Sequence, residues 1–152
     1  MKKLIKFLAI GVGIALLSGC NNNVVTCTLE SNDTTSGYSI KSTYEIHSKN
    51  DVVSKVKTTE EIKSENDSIL DYFESSLNSQ YEVSNNQYGG YKYKVTKKNN
   101  TVKSVSTVDY NKMDLEKYIN DNSALKEYVN SDNKISLKGI KTLYESLGAT
   151  CK

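Results

Sequence analysis

The residue best placed to do chemistry is Cys20. It follows Leu17-Ser18-Gly19 and closes an almost wholly apolar stretch that runs from Leu4 to Leu17. Small residues after an apolar run mark a place where a leader would be cut, which puts this thiol at a processing point. The other reactive side chains form no comparable set. His47 is the only histidine, and no cysteine or acid cluster stands at ligand spacing around it, so no metal site is expected. Its place at a strand end beside a turn predicts a solvated imidazole. Ser123-x-x-Lys126, Ser131-Asp132-Asn133 and Lys141-Thr142 contain the residue types of a serine acyl-transfer site. Such elements converge from distant parts of a large fold, whereas here they fall close together, and Leu143 replaces the glycine that close backbone approach requires. Ser131 to Lys134 has too few carboxylates for a calcium loop. Gly89-Gly90 lacks the Lys-Ser/Thr of a phosphate loop and fits a bulge or a sharp entry into the strand after it. Glu60-Glu61 is ordinary for a Lys/Glu-rich surface and carries no weight as an acid–base pair. No catalytic residue, cofactor or metal is expected, and the chain is read as non-enzymatic.

The elements that position Cys20 make a leader. Lys2, Lys3 and Lys6 supply a positive start, and the apolar run is too short to span a bilayer. The ending is more specific than an ordinary cleavage site, and it resembles the lipobox of bacterial lipoproteins, cut between Gly19 and Cys20. In that reading Cys20 is lipidated and becomes the new N-terminus. One acyl chain holds a protein marginally and two hold it stably, each buried CH₂ contributing about 0.8 kcal/mol. Residues 1–19 are therefore read as a lipoprotein signal peptide, 20–23 as a lipid-anchored polar tether, and 24–152 as one domain. The alternative is a plain secreted protein cut somewhere before Cys20. The anchor implies the extracytoplasmic face of a cell membrane, with the membrane itself as a partner through the N-terminal lipid.

Composition removes other classes. The chain has 20 lysines, no arginine and 18 acids, and three of the lysines lie in the leader. What remains is close to neutral, with Lys and Glu/Asp interspersed as on a solvated surface. No nucleic-acid partner is expected, since a binder would carry a basic face with arginine for bidentate readout. Eleven tyrosines, two phenylalanines and no tryptophan suit a half-buried sheet with wet edges. Without proline, the turns fall to Gly, Asn and Ser.

With Cys20 consumed by lipid, Cys27 and Cys151 are left, an even number in an extracytoplasmic setting. A disulfide between them would close nearly the whole mature chain, a constraint of roughly 5 kcal/mol in the chain-entropy model. The alternatives are two free thiols or one reactive cysteine. No histidine or C-x-x-C partner lies nearby in sequence to activate either.

Val24 to Glu30 reads as a short strand. Tyr38, Ile40, Tyr44 and Ile46 alternate with polar residues, as in a half-buried strand, and Ser48 to Asp51 turns the chain into a partner strand from Val52 to Ile62. Ser64-x-x-Asp67 resembles a capping box opening a helix, with Ile69, Leu70, Phe73 and Leu77 on one face. Asn85 and Asn86 are assigned to a loop. Tyr91, Tyr93 and Val95 alternate in the next strand, Lys98 to Asn100 turns, and Thr101 to Tyr110 returns. Helical segments follow at Leu115 to Ile119 and Ala124 to Val129. A last helix starts at Ser136, and Gly148 is placed to end it.

The two strand pairs look like copies. One constant offset puts Tyr44 on Tyr93, Lys49 on Lys98, Asn50 on Asn99, Val53 on Val102, Val56 on Val105 and Thr58 on Thr107. The expected fold is α+β: an antiparallel sheet built from two repeated β-hairpin-plus-helix units, with the helices packed on one face. Chance similarity between two amphipathic hairpins is the alternative. Tyr88, Tyr91 and Tyr93 beside Gly89-Gly90 form the candidate binding patch, since exposed aromatics next to glycines can stack on sugars or a partner protein. Against this, Tyr91 and Tyr93 share a strand face and are suited to packing on helices.

The lipobox, the Thr26-Cys27-Thr28 start, the Tyr44-to-Val56 hairpin and the Ala149-Thr150-Cys151-Lys152 end together resemble small bacterial lipoproteins of the YehR-like family. That resemblance implies a compact α+β domain on a lipid anchor and carries over no catalytic residue. The first expectation is a monomeric, non-enzymatic domain that binds an envelope protein or a small ligand. The second is a structural or inhibitory interaction module, which an exposed sheet face rich in tyrosine would favour. The third is an envelope enzyme, which needs a deep pocket with converging polar groups and a perturbed carboxylate.

Overall fold

A computed structural model describes residues 22–152. The leader, the Gly19–Cys20 cleavage point and the Cys20 acylation site lie outside the described residues. Three long strands come first: β1 (Asn22–Asp33), β2 (Tyr38–Lys49) and β3 (Val52–Ser64). Helix α1 (Asp67–Tyr88) follows, then β4 (Tyr91–Lys98) and β5 (Thr101–Asp109). The chain ends with α2 (Leu115–Asp121), a 3₁₀ segment (Ser123–Tyr128), α3 (Leu137–Ser146) and β6 (Thr150–Cys151). The six strands form one antiparallel sheet in the order β4-β5-β3-β2-β1-β6. The helices cover one face, as the α+β expectation has it.

Local chemistry sets the turns. Asn50 and Asp51 are both left-handed (φ 50° and 66°), which closes β2 and β3 through a two-residue loop whose twist suits a hairpin. Asn99 is left-handed in the same way between β4 and β5. In the first loop the Asp33 carboxylate accepts from the Thr35 and Ser36 amides, at 3.0 and 2.9 Å. Those donors hold its carboxyl below the usual range. The end of α3 is a Schellman motif: the Gly148 amide donates to Glu145 O and the Ala149 amide to Tyr144 O.

Several boundaries differ from the sequence-based expectation. β1 is longer than Val24 to Glu30 and includes Asn22 and Asn23, assigned to the tether, because they pair with Lys49 and Ser48. The residue capping α1 is Asn66, whose side chain accepts from the Ser68 amide, and not Ser64. Ser64 instead finishes β3 and donates to Gly37 O at 2.8 Å. Asn85 and Asn86 lie inside α1, which runs on to Tyr88 before Gly89 caps it.

The duplicated pattern holds at the turns and fails along the strands. Lys49 faces Val52 as Lys98 faces Thr101, and Val53 and Val102 are both buried. A bulge in β3 after Val53 then shifts the register against β2. Val56 consequently points into the core, whereas Val105 shares the other face with Lys103 and Thr107. The helices also differ, 22 residues in α1 against 7 in α2.

The core lies between sheet and helices in two apolar clusters. One gathers Cys27, Ile46, Val53 and Val56 against Ile119 and Ile140. The other sets Ile62 and Val102 against Leu70 of α1, flanked by Phe73 and Leu77. A disulfide joins Cys27 to Cys151, which face each other across β1 and β6. It ties the first strand to the chain end directly behind α3.

Candidate functional site

The inner face of the sheet is not uniformly apolar. Between the two clusters lie the buried Ser42, Ser104 and Ser106. In their midst Glu60 accepts from Tyr81 Oη at 3.2 Å and from Ser104 Oγ at 3.1 Å. Ser42 Oγ approaches the other carboxylate oxygen at 3.5 Å. The Tyr81 hydroxyl is pushed above the usual phenol range, chiefly by burial. Adjacent in the sequence, Glu60 and Glu61 read alike. Period-two alternation sends them to opposite faces, and Glu61 pairs with Lys103 on the outside at 2.8 Å. The signal that finds Glu60 is Ile62, two residues on and on the same face. α1 covers the cluster through Tyr81, which makes it a satisfied polar seam in the core. Among the described residues no buried side-chain polar atom lacks a partner.

Tyr88, Tyr91 and Tyr93 do come together, on the helix side and half-buried, not as exposed rings. The cause is the pair Gly89-Gly90, both left-handed (φ 68° and 77°), which end α1 and turn the chain straight into β4. A Cβ on Gly90 would meet Asp109 O and Met113 Cβ at 2.8 Å. Tyr91 and Tyr93 then point at the helices. Tyr88 sits edge-on to Tyr118 (centroids 5.1 Å) and donates to Asp121, and Tyr93 lies 5.3 Å from Tyr81. Burial drives the Tyr91 hydroxyl well above the usual phenol range. These rings are engaged in packing.

His47 lies on the outer face, half-buried, opposite Val24 on one side and Lys55 on the other. Ser131 to Lys134 is a tight turn around Asn130, whose side-chain oxygen accepts from the Asp132 and Lys134 amides. Among the described residues no three His, Cys, Asp or Glu side chains converge as a metal site, and no helix is long and apolar enough to cross a membrane.

The outer face of the sheet is left uncovered by the helices and is polar. Its side chains align in rows across the strands. One row runs Glu30, Lys41, Glu61, Lys103, with ion pairs of 2.7 Å (Lys41–Glu30) and 2.8 Å (Lys103–Glu61). These lysines hold the Glu30 and Glu61 carboxyls below the usual range. A second row carries Glu45 and Lys57, paired at 2.9 Å, followed by Thr107 and Lys92. A third runs Thr28, Thr43, Thr59, Val105, Lys94. Two shallow depressions interrupt the face, of about 380 Å³ between Glu30 and Lys63 and about 430 Å³ between Lys55, Lys92 and Lys112. Both are open, so this face suits contact with an extended or flat charged partner better than enclosure of a small molecule.

The architecture is similar to that of solved structures. The solution structure of the Escherichia coli YehR protein aligns with 86% of this chain and 92% of its own, at TM-score 0.56 and 14% identity. A solution structure of a protein from Streptococcus pneumoniae TIGR4 aligns with 100% of this chain and 98% of its own, at TM-score 0.50 and 15% identity. No protein-family model and no curated protein matches the sequence. At such identities the likeness is one of fold, and this domain has a YehR-like α+β fold.

Proposed function

We propose that this chain is a lipid-anchored lipoprotein of the extracytoplasmic face of a bacterial membrane, and that it acts there as a non-enzymatic binding domain. The observation that carries the reading is Leu17-Ser18-Gly19-Cys20 behind a lysine-started apolar run. Supporting it, the Cys27–Cys151 disulfide suits an oxidising compartment. The outer sheet face is the surface offered for binding, since its charge rows present polar groups in the open. A structural or inhibitory module would be favoured by an exposed tyrosine-rich sheet face. That face instead carries lysine, threonine and glutamate.

The test is expression of the full chain in a bacterium fed a clickable fatty acid, with fractionation and mass analysis of the mature N-terminus. The expected result is label in the membrane fraction and a diacylglyceryl mass on Cys20. Cys20→Ala should lose both. Unlabelled protein in the cytosol would overturn the proposal.

A further inference from the structure

We infer that the outer face of the sheet is a docking surface for an anionic phospholipid bilayer, which holds the domain flat on the membrane with its helices outward. The inference deepens the lipoprotein reading and rests on it for the tether.

Charge is distributed across the sheet, not along it. By strand alternation the outer face carries Lys41, Lys57 and Lys103, each ion-paired with a glutamate of the same face. It also carries Lys55, Lys63, Lys92, Lys94 and Lys98, none of which is ion-paired among the described residues. The one remaining acid there is Asp109, which meets Lys112 at 3.5 Å. The opposite side is acidic where it lies over the same strands. α1 contains Asp67, Asp71, Glu74 and Glu82 and no lysine. Lys97 points inward from β4 to Asp67 and Asp71 at 2.8 and 2.6 Å, and Lys117 of α2 meets only the far end of the helix, at Gln87 O and over the Tyr88 ring. A molecule charged this way turns its lysine face toward a negative plane and α1 away from it.

Two further points favour a bilayer. Lysines on an edge strand such as β4 also guard against strand addition, but that need does not reach Lys55 and Lys63 on the interior β3. The reach of the chain is also short. Cys20 stands two residues before Asn22, where β1 begins beside Lys49, so an acylated Cys20 lies at most about 7 Å away along the chain. That is within the Debye length of about 8 Å at physiological salt. The tether keeps the Asn22 end of the sheet in the headgroup field, and the surplus of lysines on one face, reaching to Lys63 and Lys98 at the far end of the strands, is what lays that face down.

The test uses the purified full-chain lipoprotein incorporated in vesicles of phosphatidylcholine alone or with phosphatidylglycerol. Amine acetylation is read lysine by lysine by mass spectrometry. With phosphatidylglycerol, Lys63, Lys92, Lys94 and Lys98 should label several-fold more slowly, while Lys126 and Lys138 on the helical side keep their rate. High salt should abolish the difference. The triple variant K92E/K94E/K98E, checked for an unchanged thermal melt, should lose the protection at Lys63 as well. Equal labelling on both vesicle types, or protection of the helical lysines instead, overturns the inference. Protection of the outer face on both types alike places a second copy of the chain there and overturns it too. Flotation with phosphatidylcholine alone reads the acyl anchor separately. A chain that does not float fails the lipoprotein reading, and phosphatidylglycerol-dependent protection still decides the face.

Discussion

A carboxylate on the inner face of a sheet is tolerable only while donors are aimed at it. Glu60 has Tyr81 and Ser104 within hydrogen-bonding distance on one oxygen, with Ser42 near the other. Charge-assisted bonds of this kind are stronger than neutral ones, and deleting one partner strands the others. Glu60→Ala should therefore cost about 1–3 kcal/mol, because it leaves two or three buried hydroxyls without their acceptor. Glu60→Gln keeps an acceptor oxygen and should cost less. Urea unfolding followed by circular dichroism measures both, and an alanine variant as stable as the parent removes the seam from the account. The inward direction of Glu60 was open to a period-two reading through Ile62. Its partners were not, since Ser42, Tyr81 and Ser104 come from β2, α1 and β5 and meet only in the fold. Tyr88, Tyr91 and Tyr93 show the same limit from the other side. The shared strand face of Tyr91 and Tyr93 and its fit to helix packing were legible, but Tyr88, which ends α1, joins them only through the Gly89-Gly90 turn and its contacts with α2.

Among the elements, α3 depends most on one side chain outside itself. The Asp51 carboxylate accepts from Ser136 Oγ at 2.8 Å and from the Lys138 amide at 3.0 Å, while Asp51 O accepts from the Leu137 amide. One left-handed turn residue thus closes the β2–β3 hairpin and caps a helix far along the chain. Loss of such a cap typically costs about 1 kcal/mol. Asp51→Ala also places a less tolerant residue at φ 66°, so a loss of about 1–2 kcal/mol is expected. Amide hydrogen exchange should show α3 deprotected more than α1. Uniform change across both helices would refute the local clamp. This turn was readable from Asn50-Asp51, because few residues accept left-handed backbone. The extension of α1 through Asn85 and Asn86 was not. Asparagine is a poor helix former, but Tyr81 and Tyr88 on the same helix pack inward and override it. The bulge in β3 escaped as well, since nothing in Val53-Ser54-Lys55 distinguishes an extra residue from an alternating one.

At the scale of the molecule, the disulfide and the tyrosines do related work. The disulfide spans 124 residues and restrains the unfolded chain. The tyrosines fill the wedge between sheet and helices, with Tyr44 stacked on Tyr144 at 4.2 Å and Tyr118 beside Tyr88 and Tyr110. Burial raises the hydroxyls of Tyr44, Tyr81, Tyr91, Tyr110, Tyr118 and Tyr144 above the ordinary phenol value near 10. Each therefore holds its proton more tightly in the folded state than in the unfolded chain. Their contribution to stability is complete below about pH 10 and is lost as pH rises from there toward the folded-state values. The fold should consequently fail in alkali as one cooperative event. Tyrosinate absorbance for these residues should appear only as the far-ultraviolet dichroism collapses, with the two curves sharing a midpoint. Six tyrosines ionising while the dichroism is intact would mean that the wedge is open to water, and the sheet and helices would then be held chiefly by the two aliphatic clusters and the disulfide.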